Sequence, residues 1–209
     1  MFKYIITIYS KIHCMSSKFE NLDLEGPVLV TPDIFNDERG YFVKLLTKEE
    51  FEANLIDTAF VEEFESESKK GVIRGLHYQL YPHVEGKLIR VLSGRIFDVV
   101  VDIRKKSPNF GKWTGVNLSS EKFESFWVPP GFAHGFLSLE DETRVLYKVT
   151  AKYSPEDYRG ILWKDEDIAI NWPIKADPLI SRKDSNLPRL KEAQINFAYS
   201  NKDLIPEYS

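Results

Sequence analysis

The run WVPPGFAHGF at 127–136 sets His134 between turn-forming residues and aromatics. Pro129, Pro130, Gly131 and Gly135 mark a sharp turn. The flanking residues read as buried strand, so the imidazole must find a polar partner or take part in chemistry. A second run, GVIRGLHYQ at 71–79, places Arg74 and His77 among glycines and apolar residues, and GKLIRV follows with Lys87. Cations in such a setting point to an anion or an electron-rich substrate. In RVLYKVTAKY, Val145, Tyr147, Val149, Ala151 and Tyr153 share one strand face. If that face lines a cavity, Tyr147 carries a phenol into it; otherwise both tyrosines are core aromatics with satisfied hydroxyls. ISRKDSNLPRL at 180–190 reads as a loop, with Lys183 and Asp184 in a solvated charge cluster.

The elements that must hold these groups read as β-strands. RIFDVVVDIR alternates Phe97, Val99, Val101 and Ile103 on one face with Asp98 and Asp102 on the other, the period of a strand with two unlike faces. GKLIRVL, RIFDVVVDI, SFWVP, HGFLSL and RVLYKVTAKY follow one another, broken by SG, SPNFG and EDE, a pattern that favours an all-β sandwich or small barrel. A helix is expected over TKEEFEANL, where Thr47 and Glu50 have the spacing of a capping box, and another in the C-terminal tail. No internal repeat or low-complexity tract interrupts the chain.

The 209 residues suit one domain, and a 43% hydrophobic composition suffices for a core. A net charge of −4 argues against a general nucleic-acid surface, which needs a basic excess to displace counterions. The single cysteine, Cys14, excludes an internal disulfide framework and a cysteine-based zinc site, so a cytoplasmic location is expected. No apolar run approaches membrane-spanning length. The opening MFKYIITIYSKIHCM has a faint signal-peptide character. Its apolar stretch from Tyr4 to Tyr9 is nevertheless short, contains tyrosines, is closed by Lys11 and lacks a small-residue cleavage site. Met15 is an alternative start, which makes residues 1–14 a dispensable extension or an extra edge strand.

Taken together, GVIRGLHYQ, GKLIRV, RIFDVVVDIRKKSPNFGKW, PPGFAHGF, LYKVTAKYSPE, GILWKDEDIAINWP and SRKD resemble, in order and spacing, the successive signatures of dTDP-4-dehydrorhamnose 3,5-epimerases. The resemblance runs from about Gly26 to Leu190. It implies a cupin-type jelly-roll barrel or sandwich with a few short helices, usually a homodimer, with no cofactor and a nucleotide-diphosphate sugar as substrate. The organisation expected is an N-terminal extension over 1–25, the cupin-like domain over 26–190 and a tail over 191–209. The reaction implied inverts C3 and C5 of a 4-keto-6-deoxy sugar.

Carried over residue by residue, the resemblance makes His77 the general base, Asp184 its paired carboxylate and Tyr147 the general acid. Lys87 and His134 become active-site contacts, with Lys87 aimed at the enolate oxygen. Arg74 and Lys183 become substrate-binding cations, Tyr153 the aromatic that stacks on the nucleobase, and Arg39 of FNDERGYF a further substrate contact. Protons beside a ketone are acidic because the carbanion delocalises onto oxygen, so a base, a cation and a donor on the opposite ring face suffice.

The chain departs from the family at binding positions. Lys44 replaces an acid, Glu62, Glu63 and Phe64 stand where Gln-Asp-Asn is usual, and Tyr158 replaces another acid. Lys44 and Glu62 could pair if they face each other, and the changes at Lys44, Glu62, Phe64 and Tyr158 imply a shifted nucleotide or sugar preference, or inversion at one centre only. Two rival classes are a metal-dependent cupin and a non-catalytic sugar-binding cupin. His77, His83 and His134 could meet in space, but His77 is followed by Tyr78 and Gln79, so two histidines one residue apart are absent.

Overall fold

Alternating apolar side chains along the strands build two sheets that face each other. The computed structural model describes residues 16–200 and the strand Asp203–Pro206. The expectations for residues 1–14 and for Met15 lie outside the described residues. The chain opens with β1 (Ser17–Asn21), β2 (Val28–Pro32), β3 (Ile34–Asp37) and β4 (Gly40–Val43), followed by helix α1 (Lys48–Ala53). Next come β5 (Glu62–Ser68), β6 (Val72–Gln79), β7 (Lys87–Ser93), β8 (Arg95–Asp102), β9 (Trp113–Ser119) and β10 (Ser125–Val128). Then follow β11 (Phe132–Ser138), β12 (Thr143–Val149), β13 (Tyr158–Gly160), β14 (Leu179–Ile180) and helix α2 (Arg182–Ser185). A 3₁₀ turn at Leu190–Glu192 precedes β15 (Phe197–Ser200) and β16 (Asp203–Pro206).

One sheet has the order β1-β2-β10-β7-β12-β5 and the other β13-β6-β11-β8-β9, with β14 added beside β6. Neighbours such as β7 and β10, or β8 and β11, are paired through long connections, which gives the two-sheet β-structure expected from the strand pattern and the cupin-like jelly roll that the resemblance implies. The five strands expected between Lys87 and Tyr153 are present as β7, β8, β10, β11 and β12, although the last ends at Val149. Strand β9 escaped that reading because WTGVNLS lacks a clean alternation.

The inner face is a core of Ile89, Val91, Phe126, Val145, Ile96, Val100 and Phe136. The outer face of the second sheet is also covered: Val99, Val101 and Ile103 pack beneath Ile161, Ile168, Trp172 and Phe197 of the C-terminal segment. The aspartates of β8 therefore point into the barrel, where Asp98 and Asp102 are fully buried. A buried carboxylate requires partners. Arg104 supplies them for Asp102, at 2.7 and 3.0 Å, and His134 supplies one for Asp98.

Two local expectations are corrected. Thr47 stands at the N-cap of α1, but its side chain makes no capping hydrogen bond and Glu50 binds Lys44 instead of closing the box. The described part of the C-terminal tail holds a 3₁₀ turn and the antiparallel β15–β16 pair, because Phe197 and Ala198 bury themselves against the barrel in extended conformation. Strand β1 lies within the segment expected to precede the domain, and it pairs with β2 along its whole length.

Candidate active site

Residues of both sheets line a cavity of about 600 Å³. His77 and Arg74 enter it from β6 and His134 from β11; Lys87, Tyr147 and Phe64 face them from β7, β12 and β5. His77 and His134 are direct cross-strand neighbours. The ladder shifts register between His134 and Phe136, where the two backbones come unusually close. A Cβ on Gly75 would lie 2.5 Å from the Gly135 Cα, and one on Gly135 would lie 2.7 Å from the Arg74 carbonyl oxygen. Only glycine allows this approach, which sets both imidazoles along one wall.

Asp184 arrives from the far end of the chain. The segment expected to be a solvated loop is the short helix α2, whose N-cap Ser181 accepts a hydrogen bond from the Asp184 N–H at 3.0 Å. This turns the Asp184 carboxylate inward, where its Oδ1 lies 2.8 Å from His77 Nε2 and its Oδ2 accepts the Gly75 N–H at 3.4 Å. A deprotonated carboxylate can only accept, so the ring proton sits on Nε2 and the other ring nitrogen keeps its lone pair. Burial holds the His77 pKa below its ordinary value; Asp184 opposes that shift, while Lys87 and His134 add to it. His77 is therefore a free base at neutral pH. Burial works to raise the Asp184 pKa, but its hydrogen bonds and the His77 charge carry it down.

Tyr147 faces this pair from the opposite sheet. Burial pushes its pKa up, against a weak 3.5 Å contact with the Ser66 hydroxyl, so the phenol keeps its proton. Its ring stands edge-on to His134 at 6.3 Å. His134 in turn binds the buried Asp98 at 2.6 Å. Lys87 is ion-paired with Glu85 at 2.9 Å. Arg74 donates to Ser68 Oγ and the Glu67 carbonyl, leaving its side chain spread along the pocket wall. At the rim, Tyr153 and Tyr158 meet edge to face at 5.4 Å, and the Lys183 ammonium lies 3.9 Å from the Tyr158 ring centre.

The structure thus brings His77, Asp184, Tyr147, Lys87, His134, Arg74, Phe64, Tyr153, Tyr158 and Lys183 to one cavity. It does not bring Arg39, Lys44 or Glu62 to the cavity wall. Arg39 lies on the β3–β4 hairpin, paired with Asp37. Lys44 and Glu62 do not face each other as a pair. Lys44 binds Glu50 at 3.3 Å, whereas Glu62 accepts the backbone N–H of Tyr153 at 2.9 Å and so supports the rim. The three histidines are not gathered either, because His83 is half exposed and bound to Asp157 at 2.7 Å. Among the described residues no group of three or more His, Cys, Asp or Glu could hold a metal ion.

Sequence reasoning missed Glu85, Ser66 and the role of Asp98 as partner to His134. For Asp98 a signal was present, a lone carboxylate within a run of valines. Glu85 stands in a loop of mixed composition, YPHVEG, and carries no such mark.

The family model for dTDP-4-dehydrorhamnose 3,5-epimerase matches residues 21–192. The enzyme of that name from Methanothermobacter thermautotrophicus is 47% identical over 177 residues, covering 84% of this chain and 95% of the relative. Among solved structures, the dTDP-6-deoxy-D-glucose-3,5-epimerase of Legionella pneumophila, in complex with dTDP-4-keto-L-rhamnose, superposes with a TM-score of 0.80 at 41% identity. That match covers 85% of this chain and 94% of the other. A 3′-monoepimerase from Streptomyces bikiniensis in complex with dTDP-quinovose superposes with a TM-score of 0.78 at 31% identity, covering 82% and 87%.

Proposed function

Because this chain belongs to the dTDP-4-dehydrorhamnose 3,5-epimerase family, we propose that its cavity epimerises C3 and C5 of dTDP-4-dehydro-6-deoxyglucose through an enolate. The observation that carries the reading is the pairing of a neutral, carboxylate-backed base with a protonated phenol on the facing sheet. His77 removes the proton beside the ketone, and Asp184 stabilises the imidazolium that results. Lys87 meets the negative charge that develops on the carbonyl oxygen. Tyr147 then delivers a proton to the opposite face of the ring, which inverts the centre. Arg74 and Lys183 hold the diphosphate, and Tyr153 stacks on the base.

Incubation with dTDP-4-dehydro-6-deoxyglucose in D2O, followed by NMR, tests this directly. Deuterium must enter C3 and C5, and the product must be dTDP-4-dehydrorhamnose. A binding module exchanges neither position.

A second reading is favoured by two pocket-lining residues. Phe64 and Tyr158 present ring faces where the resemblance led us to expect an amide and an acid. A site that hydrogen-bonds its ligand discriminates strongly once the contact is lost. A different nucleotide, or inversion of one centre only, would follow. Comparing kcat/KM across dTDP-, UDP-, GDP- and CDP-linked 4-keto sugars decides between the two.

The same proposal includes a homodimer. The β3–β4 hairpin pairs with no other described strand and exposes Ile34 and Tyr41 on one face and Phe42 on the other. A two-stranded hairpin is marginal alone, and large apolar groups exposed on both of its faces suit an interaction site. A second copy would cover this surface, and its cavity is then the one Arg39 and Lys44 can serve. No described helix is long and apolar enough to cross a membrane, and a cytoplasmic location belongs to the same reading.

A further inference from the structure

We infer that Glu85 is a positioning residue for the reaction: its carboxylate fixes the Lys87 ammonium where the substrate's carbonyl oxygen becomes an enolate. The inference rests on the role proposed above for Lys87. Nothing in the sequence motifs pointed to Glu85, yet it lines the cavity, and only 8% of its side chain is exposed. Its Oε1 lies 2.9 Å from Lys87 Nζ, whose side chain is 9% exposed.

The backbone between the two residues explains why both face inward. A Cβ on Gly86 would lie 2.3 Å from the Trp127 ring, so this residue is pressed against the outer layer. Its N–H donates to Thr150 Oγ1 at 2.8 Å and its carbonyl accepts the Thr150 N–H at 3.0 Å. With Gly86 clamped outward at both ends, its neighbours on either side point to the cavity together.

Lysine is a point charge on a flexible stem, and its reach is set by what holds it. The neighbouring cations are already anchored, Arg74 by Ser68 and the Glu67 carbonyl and Lys183 by the Tyr158 ring. They repel a further ammonium in the same cavity. A hydrogen-bond acceptor 2.9 Å from Nζ holds it in the wall despite that repulsion. The negative charge itself opposes an adjacent enolate, so the benefit of Glu85 is geometric, and a neutral acceptor of the same shape should preserve it. This separates positioning from charge.

The test is a double-mutant cycle on the full chain, with kcat, KM and deuterium exchange measured on dTDP-4-dehydro-6-deoxyglucose. Misplacing a reacting group by about 1 Å costs on the order of a hundredfold, so Glu85→Ala should lower kcat roughly tenfold to a hundredfold with KM little changed. Glu85→Gln should keep kcat within about fivefold of the parent, because its amide oxygen still accepts from Nζ. In a Lys87→Ala background the Glu85→Ala change should add no further loss, since there is nothing left to position. If Glu85→Ala does not fold, Glu85→Ser takes its place in the cycle. Equal losses in both backgrounds, a loss confined to KM, or Glu85→Gln as impaired as Glu85→Ala would each overturn the inference while leaving the epimerase reading intact. Parent protein that neither exchanges nor epimerises this sugar would overturn both.

Discussion

Replacing Asp184 by Asn removes one charge from the least exposed part of the proton-transfer apparatus and leaves its shape. The backbone stays held by its N–H bond to Ser181 Oγ, and the amide oxygen can still sit 2.8 Å from His77 Nε2. What is lost is the charge that stabilises the imidazolium formed when His77 takes the substrate proton. A hydrogen bond to a charged group is worth about 1.5–3 kcal/mol, so kcat should fall roughly tenfold to 150-fold. The sign of the pH effect follows from the same contact. Burial already lowers the His77 pKa from 6.5, and Asp184 acts against that shift. Without the carboxylate the imidazolium is less stable, so the acid limb of kcat/KM must move to lower pH. His77→Asn removes the acceptor itself and should abolish exchange at both centres. The assay is deuterium entry at C3 and C5 by NMR, with steady-state rates from pH 5 to 9. An Asp184→Asn protein with parental kcat and an unmoved acid limb would refute the argument that the carboxylate supports the base.

Tyr147→Phe leaves the base in place but removes the buried donor; solvent exchange should survive while net inversion collapses, and parallel loss of both in a folded, ligand-binding variant would show that the phenol is needed to form the enolate. Exhaustive chelation should leave the rate unchanged, because His77, His83 and His134 are each bound to a separate carboxylate; activity lost to chelator and restored by zinc, iron or manganese would favour the metal-cupin class. Phe126 is fully buried between the sheets, so Phe126→Ala should cost roughly 3–5 kcal/mol in urea unfolding. A polar double substitution, Tyr41→Ser with Phe42→Ser, should convert a dimer to a monomer in light scattering, and a parent protein that is already monomeric would remove the homodimer from the reading.

The all-β class and the chemistry-bearing residues were legible in the chain because both are local properties. Period-two alternation follows from strand geometry, so RIFDVVVDIR identified β8 without reference to any neighbour. Histidines and cations within apolar, glycine-rich runs likewise announced themselves. Which face of β8 meets what could not be read, since the burial of Asp98 and Asp102 depends on a second sheet and on a C-terminal segment far along the chain. Asp184 looked like part of a solvated loop because its partner, His77, is 107 residues away. Glu85 acquired meaning only when Gly86 was pressed against Trp127. Lys44 and Glu62 looked like possible partners, but each found a closer one in Glu50 and the Tyr153 backbone. Thr47 had the spacing of a cap, yet Glu50 was drawn to Lys44. Composition and spacing determine which groups are available and which strands carry them. Distance, burial and pairing between remote segments belong to the tertiary structure, because electrostatic and hydrogen-bond energies depend on where the chain returns rather than on the order in which it was written.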